Sequence, residues 1–243
     1  MKALIFAAGL GTRLRPLTDS CPKALVNVAG KPLLGHLLER LTKAGFNEIV
    51  INVHHFAEQI IQYVHDHPIE GVDVRISDER TLLLDTGGGI RQAARCFSAD
   101  GKPFLVHNVD IFSNLDLCEF YRSHAYCGGA SLLVSPRKTS RYLLFDPRDN
   151  RLKGWTNVQT GEVKSPYPNL RVEDCVPYAF AGIHLFSPEL LPYMERWGDR
   201  FSIIDFYLSV ADKMPVYGVP ESDLQLIDVG KPDTLAQAEA FIR

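Results

Sequence analysis

With 243 residues, 46% of them hydrophobic and 23% charged, the chain has the composition of an ordinary globular protein, long enough to bury a sizeable α/β core undivided. A net charge of −3 gives no electrostatic reason to expect a nucleic acid or an anionic membrane as partner, and no apolar run reaches membrane-spanning length. Five cysteines (Cys21, Cys96, Cys118, Cys127 and Cys175) form no Cys-x-x-Cys pair and read as reduced thiols of a cytoplasmic protein.

From the amino terminus, Ala3-Leu4-Ile5-Phe6-Ala7-Ala8 is an apolar, β-forming run that stops at Gly9-Leu10-Gly11-Thr12-Arg13-Leu14-Arg15-Pro16-Leu17-Thr18. Such a run predicts a buried strand whose carboxyl end opens into a tight loop. It leads into that loop rather than a cleavage site, so it reads as a strand and not as a signal peptide. Leu34, Leu37, Leu38, Leu41 and Ala44 then recur at helical spacing, with Gly45 as a stop. Glu48 to Val53 reads as a second buried strand, Phe56, Ile60, Ile61 and Val64 mark a second helix, and Val72 to Ser77 is a third strand. Ile90, Ala93, Ala94 and Phe97 share one face of a third helix, and Pro103 to Asn108 makes the next strand. This alternation predicts an α/β fold with a mostly parallel, Rossmann-like central sheet flanked by helices. Ligands bind such sheets at the carboxyl ends of the strands.

The second half changes character. Ala130 to Val134, Leu143 to Asp146, Leu152 to Thr156 and Tyr178 to Phe186 are strand-like, with turns such as Pro147-Arg148-Asp149-Asn150 between them. The polar segment between Val158 and Val176 is expected to be a long loop over the cleft, and helical patterns return at Pro188 to Glu195, Ile203 to Ala211 and Leu235 to Ile242. No repeat or linker interrupts the chain, so a single domain over residues 1–243 is expected, with halves of about 1–113 and 114–243.

The glycine loop carries the first chemistry. Glycines let a backbone approach a ligand closely, and Arg13, Arg15 and Lys23 place three cations in one short excursion, which suits a polyphosphate. The run Gly-x-x-x-x-Gly-Lys-Ser/Thr of a P-loop is absent, and Leu14 stands where a dinucleotide loop needs its third glycine. Two further strand ends carry carboxylates: Asp110 after Phe104-Leu105-Val106, and Asp228 after Leu224-Gln225-Leu226-Ile227 and before Gly230. Such groups suit Mg²⁺, which takes oxygen ligands and binds one or two carboxylates together with substrate phosphates. His54, His55, His65 and His67 lack a cysteine or carboxylate at metal-ligand spacing and read as surface or strand-end histidines.

AAGLGTRLRPLT, then PKALVNVAGKPLL, then Asn108-Val109-Asp110 and Leu226-Ile227-Asp228-Val229-Gly230, resemble the signature of sugar-1-phosphate nucleotidyltransferases over nearly the whole chain. A lone Gly-x-Gly says little, whereas the ordered set is specific. The resemblance implies a nucleoside triphosphate and a sugar 1-phosphate as substrates, with Mg²⁺ held by Asp110 and Asp228. It implies a nucleotide site built from Ala7, Ala8, Gly9, Gly11, Thr12, Arg13 and Lys23, with Asp85, Thr86 and Gly87 at the base and ribose. Arg13 would hold the β- and γ-phosphates and Lys23 would act at the α-phosphate, while Arg15 pairs with an acid. Asn108, Asn157 and Gly182 are implied at the acceptor. Val109 replaces the family's usual glycine, and Trp155-Thr156-Asn157-Val158 stands where many relatives have Glu-Lys-Pro. Arg137, Arg141, Lys153 and Lys164 are the candidates for the cation missing there. Within the family the chain looks most like the N-acetylmuramate 1-phosphate uridylyltransferases. Mannose- or heptose-1-phosphate guanylyltransferases are the alternative, and a non-catalytic nucleotide-sensing or regulatory subunit is the reading of another class.

Overall fold

The computed structural model describes residues 1–125 and 128–242; Cys127, read above as a reduced thiol, lies outside them. The first strand, β1 (Lys2–Phe6), is followed by the glycine loop, a two-strand ribbon of β2 (Asn27–Val28) and β3 (Lys31–Pro32), and helix α1 (Leu33–Lys43). Then come β4 (Glu48–Val53), α2 (Ala57–Asp66), β5 (Asp73–Asp78), α3 (Asp85–Ala94), β6 (Phe104–Asn108), the short β7 (Ile111–Ser113) and α4 (Leu117–His124). The remainder comprises β8 (Ala130–Ser135), β9 (Arg141–Phe145), β10 (Leu152–Asn157), β11 (Glu162–Lys164) and β12 (Val176–Phe186). After these follow α5 (Leu191–Met194), α6 (Ile203–Val210), β13 (Val216–Pro220), β14 (Leu226–Asp228) and α7 (Pro232–Ile242).

The expected α/β sheet is present and has ten strands. Strands β6-β1-β4-β5 lie side by side and parallel, with Ala3 opposite Leu105 and Ile49. Beyond β6 the pairing becomes antiparallel: β12 lies beside β6, followed by β9, β10 and β11, while β8 pairs with β12 and, in parallel, with β13. Successive residues of each parallel strand point to opposite faces. Ala3, Ile5, Ile49, Ile51 and Leu105 join one core with Leu37, Leu41, Ile60 and Phe120 of α1, α2 and α4. Leu4, Val50, Phe104 and Val106 join the other with Ile90, Met194 and Phe206 of α3, α5 and α6. Helices therefore cover both faces, and the free positions for ligands are the strand ends. No helix among the described residues is long and apolar enough to cross a membrane.

Three expectations are corrected. The segment between Val158 and Val176 is not a bare loop; it contains β11 as the last strand of the sheet and a single 3-10 turn at Val172–Asp174. Strand β13 was not foreseen, because its run Val-Tyr-Gly-Val-Pro shows no alternation and gains its place only by pairing with β8. Gly87, Gly88 and Gly89, which in the run Leu84-Asp85-Thr86-Gly87-Gly88-Gly89 read as glycines leading into a helix, lie inside α3, which starts at Asp85. A Cβ on Gly87 would fall 2.3 Å from the Phe201 ring, and one on Gly88 2.2 Å from the Asp199 carbonyl oxygen. These glycines let α3 pack against the chain ahead of α6.

Candidate active site

A cavity of about 480 Å³ opens where β6, β1, β4 and β5 end. Ala7, Ala8, Gly9, Gly11, Thr12, Arg13 and Lys23 all line it, together with Asn108, Asp110, Asp85 and Thr86. Gly9 has open space where a Cβ would stand. Gly11 has φ +64°, and a Cβ there would meet Thr18 Cγ2 at 2.9 Å and Lys23 Cβ at 3.1 Å. The Thr18 hydroxyl donates to the Gly11 carbonyl at 2.8 Å, so the loop folds back on itself, with Lys23 packed close to Gly11 and facing the same cavity as Arg13. Arg15 does not line the cavity but pairs with Asp19 at 3.3 Å on the exposed outer face, a contact of little energetic weight. Burial pushes the Cys21 thiol up, so the loop cysteine is not activated as a thiolate.

The two carboxylates meet through a long-range strand pair. β7 and β14 run antiparallel with Ile111 opposite Asp228, and the Val229 N–H donates to the Asp110 carbonyl at 2.8 Å. Asp110 and Asp228 are thereby set close enough to feel each other. Desolvation first, and then the charge of Asp110, push the Asp228 carboxyl up even though part of it faces solvent, while Lys23, Arg13 and Arg137 pull it down. The Lys23 ammonium pairs with Asp110, and both side chains are largely buried. At Gly230 a Cβ would fall 2.8 Å from Arg13 Nη2 and 2.9 Å from Asp228 Oδ1; the absence of a side chain there leaves room for both groups. Among the described residues no group of three or more His, Cys, Asp or Glu forms a metal cage. Two adjacent carboxylates in mutual repulsion nevertheless fit a hard divalent cation that completes its shell with water and phosphate oxygens.

The wall on the β4–β5 side comes from residues the sequence reading passed over. Asn52 Oδ1 accepts the Ala7 N–H at 2.7 Å, and Asn52 Nδ2 donates to Glu79 Oε1 at 2.8 Å. Glu79 Oε2 accepts the Leu84 N–H at 3.1 Å. Desolvation pushes the Glu79 carboxyl up, and the chain of bonds ties the end of β1 to the start of α3. Asn52 was detectable: it is the one amide inside the apolar run Ile-Val-Ile-Asn-Val. Arg200 also lines the cavity, and nothing local in the sequence marks it. Thr86 uses its hydroxyl to accept the Ile203 N–H at 2.9 Å, and Gly87 is buried against Phe201 without lining the cavity.

The acceptor-side residues divide. Asn108 lines the cavity, and Gly182, at φ +75° in an irregular stretch of β12, lies against it; a Cβ there would meet Asn108 Nδ2 at 2.8 Å. Asn157 is not brought to the cavity. It ends β10, with β9 and β12 between it and β6, and its Oδ1 accepts the Gln159 N–H at 3.0 Å. Val109 keeps a negative φ, buries its side chain in the first core and donates its N–H to the Phe6 carbonyl at 3.1 Å. Valine thus fits where glycine is usual. Of the four candidate cations, Lys164 pairs with Asp205 at 3.0 Å over the Trp155 ring, and Lys153 pairs with Asp146 at 3.5 Å over Tyr167. Arg137 donates to the Phe180 carbonyl at 2.9 Å and acts electrostatically on Asp228, while Arg141 is exposed at the start of β9.

This arrangement is that of a nucleotidyl transferase, and the chain belongs to that family: the family model matches residues 2–145. The N-acetylmuramate alpha-1-phosphate uridylyltransferase of Neisseria meningitidis serogroup B is 36% identical over 241 residues, covering 99% of this chain and 98% of the relative. Mannose-1-phosphate guanyltransferase 2 of Candida glabrata is 37% identical over 256 residues, covering all of this chain but 65% of the relative. Among solved structures, a glucose-1-phosphate thymidylyltransferase described as putative, from Bacillus anthracis, superposes with a TM-score of 0.80 at 17% identity, over 100% of this chain and 95% of that one, and so shares the fold.

Proposed function

We propose that the protein joins a sugar 1-phosphate to a nucleoside triphosphate, releasing pyrophosphate, and that the pair is N-acetylmuramate 1-phosphate and UTP. The observation that carries the reaction class is the convergence of the Gly9–Arg13 loop and of Lys23 on Asp110 at one cavity, with Asp228 set next to Asp110 by the β7–β14 pair. The substrate pair rests on the full-length likeness to the meningococcal uridylyltransferase.

In the reaction an oxygen of the sugar phosphate attacks the α-phosphorus in line; one P–O bond forms, the α–β bridging bond breaks, and no covalent enzyme species is needed. Catalysis then rests on alignment and charge. Arg13, a planar fork beside the glycine loop, grips the β- and γ-phosphates. Lys23, a movable ammonium, acts at the α-phosphate, where charge builds in the transition state. Asp110 and Asp228 would hold Mg²⁺, which when bound offsets the repulsion between the two anionic substrates. Asn108 and Gly182 border the acceptor, and Arg137 supplies the cation that the missing Glu-Lys-Pro lysine supplies elsewhere. Such an enzyme serves NDP-sugar supply for the cell wall in the cytoplasm. The test is pyrophosphate release from UTP and GTP, each with N-acetylmuramate, mannose and heptose 1-phosphates. Turnover with UTP and N-acetylmuramate 1-phosphate supports the reading. Preference for GTP with a mannose-type acceptor replaces the substrate pair, and no release with any pair favours a nucleotide-sensing subunit.

A further inference from the structure

Arg200 lines the same cavity from the chain between α5 and α6, far in sequence from every motif. Its position is fixed with precision. The Gly87 N–H donates to the Phe201 carbonyl at 2.8 Å, the Phe201 N–H to the Leu84 carbonyl at 3.3 Å, and the Ile203 N–H to the Thr86 hydroxyl at 2.9 Å. On the other flank, Arg91 donates to the carbonyls of Trp197 and Gly198 at 2.9 and 3.0 Å. The loop is clamped to α3 on both sides of Arg200.

Arg200 also differs from the other cations of the cavity. Lys23 sits on Asp110, and Arg13 stands near enough to Asp228 to act on it electrostatically, whereas among the described residues Arg200 has no carboxylate within ion-pair distance and stands at the other end of the cavity. The acid next to it, Asp199, faces Arg91 instead. Sheet order separates the two ends: Asp110 follows β6 on one side of β1, while Glu79 and α3 follow β5 on the other. With the triphosphate at Arg13 and Lys23, the base lies toward Arg200. Most of the other polar side chains there are already bonded, Asp85 through one oxygen, which accepts the Thr86 N–H at 2.6 Å. Asn52 is bonded through both its oxygen and its nitrogen, Glu79 through both oxygens, and the Thr86 hydroxyl through Ile203. An arginine carries donors only, so this exposed guanidinium, held at the rim of the cavity without an acid, is placed to donate to a ligand oxygen.

We propose that Arg200 reads the base, donating to the oxygen at C4 of uracil or C6 of guanine, so that the site selects these oxo bases over cytosine and adenine, which present an amino group at the corresponding position. This rests on the cavity being the triphosphate site. The test is calorimetric binding of UTP, GTP, CTP and inorganic tripolyphosphate to the wild type, Arg200→Ala and Arg200→Lys, which needs no turnover. The wild type is expected to bind UTP or GTP at least tenfold more tightly than CTP. Arg200→Ala should remove most of that preference while leaving tripolyphosphate within about twofold, and Arg200→Lys should restore part of it. An unchanged preference in Arg200→Ala overturns the base contact, as does a wild type that binds CTP as well as UTP. Equal losses for tripolyphosphate and UTP overturn it too, by making Arg200 a phosphate group. A wild type that binds no triphosphate at all sinks the underlying reading of the cavity instead.

Discussion

On one side of β6 the sheet is parallel, and the polar side chains at its strand ends face a shared cavity; on the other side it is mostly antiparallel, and the polar side chains mostly engage one another. In the first region Gly9 to Arg13, Asn52, Glu79 and Asp110 each follow or end a parallel strand, so topology alone gathers them on one rim. In the second, Arg148 and Lys153 share Asp146, and Lys164 takes Asp205. The cavity of about 530 Å³ beside them, lined by Arg148, Lys153 and Arg171, also holds Asp146 and Asp174. A basic residue is thus informative only once its partner is known. A cation at the rim of the cavity, even one paired like Lys23 with a carboxylate of the site, stands where a phosphate can reach it, while one matched by an acid away from the rim does not.

The largest effect should come where the two regions are stitched together by β7 and β14. Asp110→Asn and Asp228→Asn are each expected to lower turnover at least 10³-fold, about 4 kcal/mol in the barrier. Because desolvation and Asp110 disfavour the charged form of Asp228, Asp228→Asn should also raise the Tm of the metal-free protein. Steady-state rates and thermal melts check both, and full activity at saturating Mg²⁺ in either variant would show that the strand pair is structural only.

The seam between the regions supplies the next effect. His107 on β6 and His184 on β12 lie in adjacent strands, fully buried, and desolvation pulls both pKa values down to about 3. The unfolded chain takes up protons near pH 6.5 and the folded one does not, so stability is complete above that pH and falls as the pH drops from there toward 3. At pH 5.5 the loss should be roughly 3 kcal/mol for the pair, at about 1.4 per unit for each ring. Denaturant unfolding at pH 7.5 and 5.5 measures it; His184→Gln should flatten the dependence, and an equal slope in that variant would place the proton uptake elsewhere.

Within the parallel region the two cations should separate kinetically. Lys23→Ala is expected to cut kcat about 10²-fold, near 2.7 kcal/mol, with a smaller rise in the KM for the triphosphate. Arg13→Ala should mainly raise that KM, because its partners are charged before the reaction begins. The reverse pattern would mean that the roles are exchanged. The smallest effect tests the antiparallel region: Arg137→Ala should raise the KM for the sugar phosphate several-fold, about 1 kcal/mol, while Lys153→Ala and Lys164→Ala leave it near the wild-type value. An effect at either lysine and none at Arg137 would erase the distinction drawn between free and matched cations.

What the sequence determined by itself is local or periodic. The strand ending in Gly9-Leu10-Gly11, the alternation of strands and helices up to Asn108, and the carboxylates after β6 and within β14 were all legible, because each depends on a residue's own side chain and near neighbours. The tertiary structure alone decided everything that needs two distant segments. It set Asp228 beside Asp110 through β7 and β14, buried Gly87 against Phe201 and Gly88 against the Asp199 carbonyl, and carried Arg200 to the cavity on that packing. It also matched Lys153 and Lys164 with acids while leaving Arg137 facing Asp228. The physical reason is that a charge is defined by what stands a few ångströms away, and in a ten-stranded sheet those neighbours come from strands and loops far apart along the chain.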